Sequence, residues 1–185
     1  MLILASKSPR RKEILKSLNI NFKVISPNVK EMHPDNHSPE ELPLINAKIK
    51  SQFVAKNYPN NLVLGADTIV VLNGEILEKP IDNNDAINML MKLSGKIHQV
   101  ITGVSLNCIS KKIAISFIEK SFVTFKKFNQ KTAENYVKKV YVIDKAGSYA
   151  VQECKDMIIE EIKGSQTNVK GLPAEKIIET LQTIK

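Results

Sequence analysis

The stretch Leu62-Val63-Leu64-Gly65-Ala66-Asp67-Thr68-Ile69-Val70-Val71-Leu72 is apolar and β-branched almost throughout. Asn73-Gly74 behind it is a hairpin turn signal, so Glu75 to Leu77 returns as a second strand. Amphipathic helices flank this hairpin: one from about Glu40 to Lys56, the other carrying Ala86, Met89, Leu90 and Leu93, with Gly95 as its stop. Outward from there, Leu2 to Ala5 reads as a buried strand, and Ser8-Pro9 starts a helix with Ile14, Leu15 and Leu18 inward. Strands are expected at His98 to Asn107, Lys112 to Ile118, Ser121 to Phe128 and Met157 to Ile162, and another around Tyr149 and Gln152. Thr132 caps a helix through Val140, and Pro173 begins a last one with Ile177, Ile178, Leu181 and Ile184 inward. Pro27 to Pro39 and Lys163 to Gly171 read as polar loops. The expected class is α/β, a mixed twisted sheet with flanking helices.

The length of 185 residues suits one domain, residues 1–185, built as a single core or as two lobes around a cleft. A hydrophobic share of 43% against 25% charged excludes a disordered or collagenous chain. No apolar run reaches the roughly 18 residues of a membrane span, and no signal peptide is read at the start. Cys108 and Cys154 form no Cys-x-x-Cys pattern, so a reducing, cytoplasmic setting is expected. The net charge of +8 is concentrated between Lys111 and Lys139, where Glu119 and Glu134 are the only acids. That segment has no recognition-helix or aromatic stacking pattern, so no specific nucleic-acid partner is expected.

Two features carry chemistry. Of the 27 basic residues, all but the adjacent Arg10 and Arg11 are lysine, and a guanidinium is needed where a planar fork must grip phosphate. The strand, short loop and helix start around them bring free backbone amides to the same place. Asp67, in the middle of an apolar strand, must be paired, metal-bound or lining a cleft. Lys79-Pro80 closes the hairpin and supplies a cation. His33 and His37 sit in a proline-broken loop and read as solvated, and His98 as a hydrogen-bonding residue of the sheet. P-loop, dinucleotide-binding and nucleophile-elbow motifs are absent from the sequence.

Leu4 to Arg11, Gly65-Ala66-Asp67-Thr68, Glu78-Lys79-Pro80, Leu93-Ser94-Gly95 to Thr102-Gly103-Val104, Asp144-Lys145-Ala146-Gly147 through Gln152, and Gly164-Ser165 to Pro173 occur in one order from end to end. In that order they resemble the motifs of the Maf nucleotide pyrophosphatases. The resemblance implies hydrolysis of a nucleoside triphosphate to the monophosphate and pyrophosphate by water attack at the α-phosphorus. It implies an inosine-triphosphatase-like fold with two lobes around a long cleft, and a divalent cation, Mg2+ or Mn2+. Ala66-Asp67-Thr68 matches members acting on dTTP and UTP, with Arg10, Thr68 and Gln152 at the selectivity positions. Asp67 falls on the proton acceptor, alternatively a metal ligand, and Glu31 on the metal-side acid. Ser6, Ser8, Arg11 and Lys79 fall on cleft positions, and Lys50 on the helix lysine, with Lys48 its rival. Ser148 and Ala150 stand where glycines are usual, and Gln166 and Lys170 replace residues commonly aromatic and aliphatic. Other readings are a pyrophosphatase for modified or noncanonical nucleotides, or a basic nucleic-acid-binding or cell-division regulator without turnover. The latter has no use for Asp67. Exposed apolar patches could support a homodimer.

Overall fold

The computed structural model describes residues 1–34 and 37–184; Asp35 and Asn36, inside the expected Pro27 to Pro39 loop, and Lys185, in the expected 1–185 domain, lie outside the described residues. The elements in chain order are β1 (Leu2–Ala5), α1 (Pro9–Ser17), β2 (Phe22–Val24), α2 (Glu41–Asn57), β3 (Leu62–Leu72), β4 (Glu75–Leu77), α3 (Asn83–Leu93), β5 (Ile97–Cys108), β6 (Ile113–Phe125), α4 (Gln130–Lys139), β7 (Ile159–Lys163), α5 (Gln166–Val169) and α6 (Ala174–Thr183). Among the described residues the strands form a seven-stranded sheet in the order β2-β1-β3-β5-β6-β7, with β4 on β3. It is mixed, as expected: β1 is parallel to β2 and β3, whereas β4 is antiparallel to β3 and β7 to β6. The chain divides into two compact units whose boundaries fall inside β3, β5 and β6.

The first unit comprises Met1–Thr68, Thr102–Glu119 and Gly171–Lys185. From β1 the chain crosses by α1 to β2 on one side, then returns by α2 to β3 on the other. Parallel crossovers keep one hand, so two crossovers in opposite directions put their helices on opposite faces of the sheet. The cores show that division. Leu2, Leu4, Leu64 and Ala66 pack with Ile14 and Leu15 of α1 and Ile177 of α6, while Ile3, Ala5 and Val63 pack with Val54 and Ala55 of α2. α1 starts as the sequence predicts: Ser8 is the N-cap, its hydroxyl accepting from the Arg11 amide, and Pro9 is the first helical residue.

The second unit comprises Ile69–Ile101 and Lys120–Lys170. Its core gathers Val70 and Leu72 of β3, Leu90 and Leu93 of α3, Phe125 of β6 and Tyr136 of α4. Asn73 and Gly74 both have positive φ, as the tight β3–β4 turn requires. His98, 2% exposed, shares a 2.8 Å hydrogen bond between Nε2 and the Tyr149 hydroxyl and stacks edge-on with Phe125. Burial pushes its pKa down to about 4, so the ring is neutral at pH 7.

Several boundaries differ from the sequence reading. The two strands expected at Lys112 to Ile118 and Ser121 to Phe128 are a single one, Ile113–Phe125, which no turn breaks. Asn129, not Thr132, caps α4, its side chain accepting from the Thr132 amide. The segment holding Tyr149 and Gln152 is not a strand: Ala146–Ser148 forms a 3-10 turn with Gly147 at φ 68°, followed by further turns. The expected loop from Lys163 contains the short helix α5, capped by Ser165, and β2 was not foreseen.

Candidate active site

β1 ends at Ala5, which is paired with Gly65, so β3 runs past it and carries Asp67 and Thr68 beyond the carboxyl end of its neighbour. In parallel α/β sheets that end, at a strand where the order reverses, is where ligands bind. Successive strand residues face opposite sides, so Asp67 is directed to the face of α2 and Thr68 to that of α1.

On the α2 face, Lys50 is 6% exposed and its Nζ donates to Asp67 Oδ1 at 2.7 Å. The same ammonium lies 2.9 Å from Glu31 Oε2, whose side chain is half-exposed. Lys48, the rival position, is half-buried and makes no such contact with Asp67 or Glu31 among the described residues; its carbonyl accepts from the Ser51 hydroxyl. One turn before Lys50, Asn46 donates from Nδ2 to Asp67 Oδ2 at 3.3 Å. Two glycines let α2 sit this close. A Cβ at Gly65 would stand 2.3 Å from the Ala47 carbonyl oxygen and 2.8 Å from Ser51 N, and one at Gly103 would stand 2.3 Å from the Pro43 carbonyl. Ser51 and Ser105 share a 3.0 Å hydroxyl bond, and Asn107 donates to both, which ties α2 to β5 through a buried polar network.

On the α1 face, the Arg11 guanidinium is buried and held at three points. Nε donates to the Gly171 carbonyl at 2.8 Å, one terminal nitrogen to the Thr68 hydroxyl at 3.0 Å, and the other to the Ser6 hydroxyl at 3.3 Å. The Thr68 hydroxyl is also 2.9 Å from that of Thr102 and 3.3 Å from the Gly171 carbonyl. Its hydrogen-bonding capacity is thus filled by Arg11, Thr102 and Gly171. Ser6 in turn accepts from the Ser8 amide at 3.1 Å. Burial, more than anything else, lowers the Arg11 pKa, with Arg10 acting in the same direction and the charges of Asp67 and Glu31 opposing. A guanidinium whose bonds all go to neutral oxygens keeps its charge available to an anion.

The structure therefore brings Ser6, Ser8, Arg11 and Thr68 together on one face, and Glu31, Lys50 and Asp67 on the other. Arg10 is half-buried in the first turn of α1. Lys79 and Gln152 belong to the second unit, where both are exposed. Sequence reasoning missed Asn46, Thr102 and the Gly171 carbonyl. Asn46 had a signal: a polar residue four before Lys50 on the inward stripe of an amphipathic helix.

No group of three or more His, Cys, Asp and Glu among the described residues could hold a metal. Asp67 and Glu31 give two carboxylates joined by one ammonium. That donor set fits a hard divalent cation that completes its shell with phosphate oxygens and water.

A family model described as Maf-like protein matches residues 1–184. A Clostridioides difficile protein named dTTP/UTP pyrophosphatase is 41% identical over 98% of this chain and 93% of its own length. One of the same name from Thermosipho africanus is 42% identical over 97% of this chain and 91% of its own. The Ham1 protein of Staphylococcus aureus has a similar fold, with a TM-score of 0.58 over 100% of this chain and 99% of that one, at 16% identity.

Proposed function

Because the chain belongs to the Maf family, we propose that it is a nucleoside triphosphate pyrophosphatase that hydrolyses dTTP and UTP to the monophosphate and pyrophosphate. One observation carries the reading. A carboxylate gripped through both oxygens, Asp67, stands on the strand whose next residue braces the buried cation of Arg11. A module that only binds anions gains nothing from a carboxylate facing phosphates, whereas hydrolysis needs a proton acceptor beside cations.

In this mechanism the water oxygen bonds to the α-phosphorus as the bond from that phosphorus to the bridging oxygen breaks, and pyrophosphate leaves. Asp67 takes the proton of the water. Charge building on the phosphoryl oxygens is offset by Arg10, Arg11, Lys50 and Lys79, with the amides at the start of α1 and the hydroxyls of Ser6 and Ser8 cradling the triphosphate. Mg2+ or Mn2+, held by Asp67 and Glu31 with phosphate oxygens, would supply further positive charge there and polarise bound water. Gln152 suits a uracil or thymine edge, since its amide offers a donor to a ring carbonyl and an acceptor to the ring N–H. Thr68 and Arg10 share the selectivity, Thr68 by holding Arg11 in place. Cys108 and Cys154 are free, which fits the reducing, cytoplasmic setting expected from the sequence.

Ion-exchange chromatography of a reaction with UTP or dTTP, with and without Mg2+, tests the proposal. UMP or dTMP with pyrophosphate is the expected product pair; UDP with orthophosphate would overturn it.

A further inference from the structure

We propose that Asn46 is a positioning residue for this reaction, aiming the Asp67 carboxylate and tying to it the segment that carries Glu31. The inference rests on Asp67 being the reacting carboxylate. Asn46 is 3% exposed, and a buried carboxamide is costly unless each of its groups is met. Here each is met. Oδ1 accepts from the Met32 amide at 2.7 Å, while Nδ2 donates to the Met32 carbonyl at 3.3 Å and to Asp67 Oδ2 at 3.3 Å. A leucine would fill the same inward helical position without that requirement, so the polar side chain serves its partners rather than the core.

The consequence for Asp67 is geometric. Asn46 and Lys50, four residues apart on α2, take its two oxygens separately, Oδ2 and Oδ1, and so fix rotation of the carboxylate about its own bond. A single lysine would leave that rotation free. The two bonds to Met32 fix the residue next to Glu31, which meets the same Lys50 at 2.9 Å. Asn46 adds no charge, so it orients Asp67 without competing with Lys50 for it.

A rival role, a staple for the loop alone, makes the opposite ranking of two variants. Asn46→Asp keeps an acceptor for the Met32 amide but loses the donor to Asp67 and sets a like charge against it. Asn46→Leu loses every bond and adds no charge; Asn46→Ser replaces it in the comparison if it does not fold. Steady-state kinetics on UTP, thermal melts and hydrogen exchange at the Met32 amide would be measured in each.

We expect kcat to fall about tenfold in Asn46→Leu with KM within about twofold, and to fall further in Asn46→Asp, while the Met32 amide stays protected in Asn46→Asp and exchanges faster in Asn46→Leu. Turnover in Asn46→Asp equal to or above that in Asn46→Leu would reduce Asn46 to a loop staple and overturn the inference. Asp67→Asn, run alongside, separates the two layers. Wild-type turnover there would remove Asp67 from the chemistry, whereas an inactive Asp67→Asn with a mild Asn46→Asp would refute the role of Asn46 alone.

Discussion

Adding one methyl group at Gly65 should disable the site without touching any side chain in it. The new Cβ would stand 2.3 Å from the carbonyl oxygen of Ala47, inside α2, and 2.8 Å from Ser51 N. Ordinary carbon–oxygen contact begins at about 3.3 Å, so the helix must recede from β3 by about 1 Å. Both obstacles are backbone, which cannot rotate away as a side chain would. Lys50 lies between Ala47 and Ser51, and its 2.7 Å bond to Asp67 together with the 3.3 Å bond from Asn46 would stretch beyond hydrogen-bonding range. Overpacking of this kind costs about 1–3 kcal/mol of stability, and a misplacement of about 1 Å costs roughly a hundredfold in rate. Gly65→Ala is therefore expected to melt several degrees lower and, at a temperature where it is fully folded, to turn over UTP about a hundredfold more slowly. Steady-state kinetics paired with a thermal melt would measure both. A variant with the wild-type melting temperature and wild-type kcat would mean that α2 is not seated on the glycine, and the account of how Lys50 reaches Asp67 would fail.

Asp67→Asn should keep the fold and lose about a hundredfold or more in kcat, since an amide neither accepts a proton nor offers a metal negative charge; a folded variant at wild-type rate would make Asp67 structural. Arg11→Lys should lose at least about tenfold in kcat/KM and also melt lower, because one ammonium cannot span the oxygens of Gly171, Thr68 and Ser6, and wild-type behaviour in both measurements would contradict that bracing. His98 has a folded pKa of about 4 against 6.5 unfolded, so between those values the unfolded chain binds the extra proton. The stability it contributes is complete above pH 6.5 and is lost as pH falls towards 4, about 3 kcal/mol in all. Denaturant titrations across that range should show a slope that His98→Gln flattens, and an identical slope in the variant would refute the assignment.

The strands and helices that could be read from the sequence are those where one periodicity or cap acts alone. Leu62 to Leu72 matched in full because its turn, Asn73-Gly74, fixes where it ends. Ser8-Pro9 starts its helix in the same local way. The errors cluster where tertiary context overrides local preference. Ser121 lies in a continuous strand and is fully buried because its hydroxyl donates to the Ser165 carbonyl, a partner far away in sequence. Ser148 adopts φ 62°, a backbone conformation that favours glycine, and it does so buried, with its hydroxyl 3.1 Å from the Met89 sulfur. A strand-like composition around Tyr149 could not announce that turn.

The site was legible in its charged members for a physical reason: a charge inside an apolar pattern demands a partner, so Asp67 and the lone arginine pair stand out of any reading. The groups that aim those charges have no such mark. Arg11 is oriented by a backbone carbonyl, Gly171, and by two hydroxyls, and Asp67 by a carboxamide; each is chemically ordinary and becomes specific only through where the fold delivers it. The delivery itself is topological. Reversing the crossover at β1 puts α1 and α2 on opposite faces, and β3, running on past its pairing with Ala5, offers Asp67, two residues beyond, to one helix and Thr68, three beyond, to the other. Adjacent residues in the middle of β3 thus anchor a carboxylate and a guanidinium on opposite sides of a single strand. The opposite charges act on each other through space while each keeps its own hydrogen bonds, since Asp67 raises and burial lowers the Arg11 pKa without an ion pair joining them. Had Asp67 and Thr68 been one residue out of register, both faces would have exchanged partners and neither helix could have met its own.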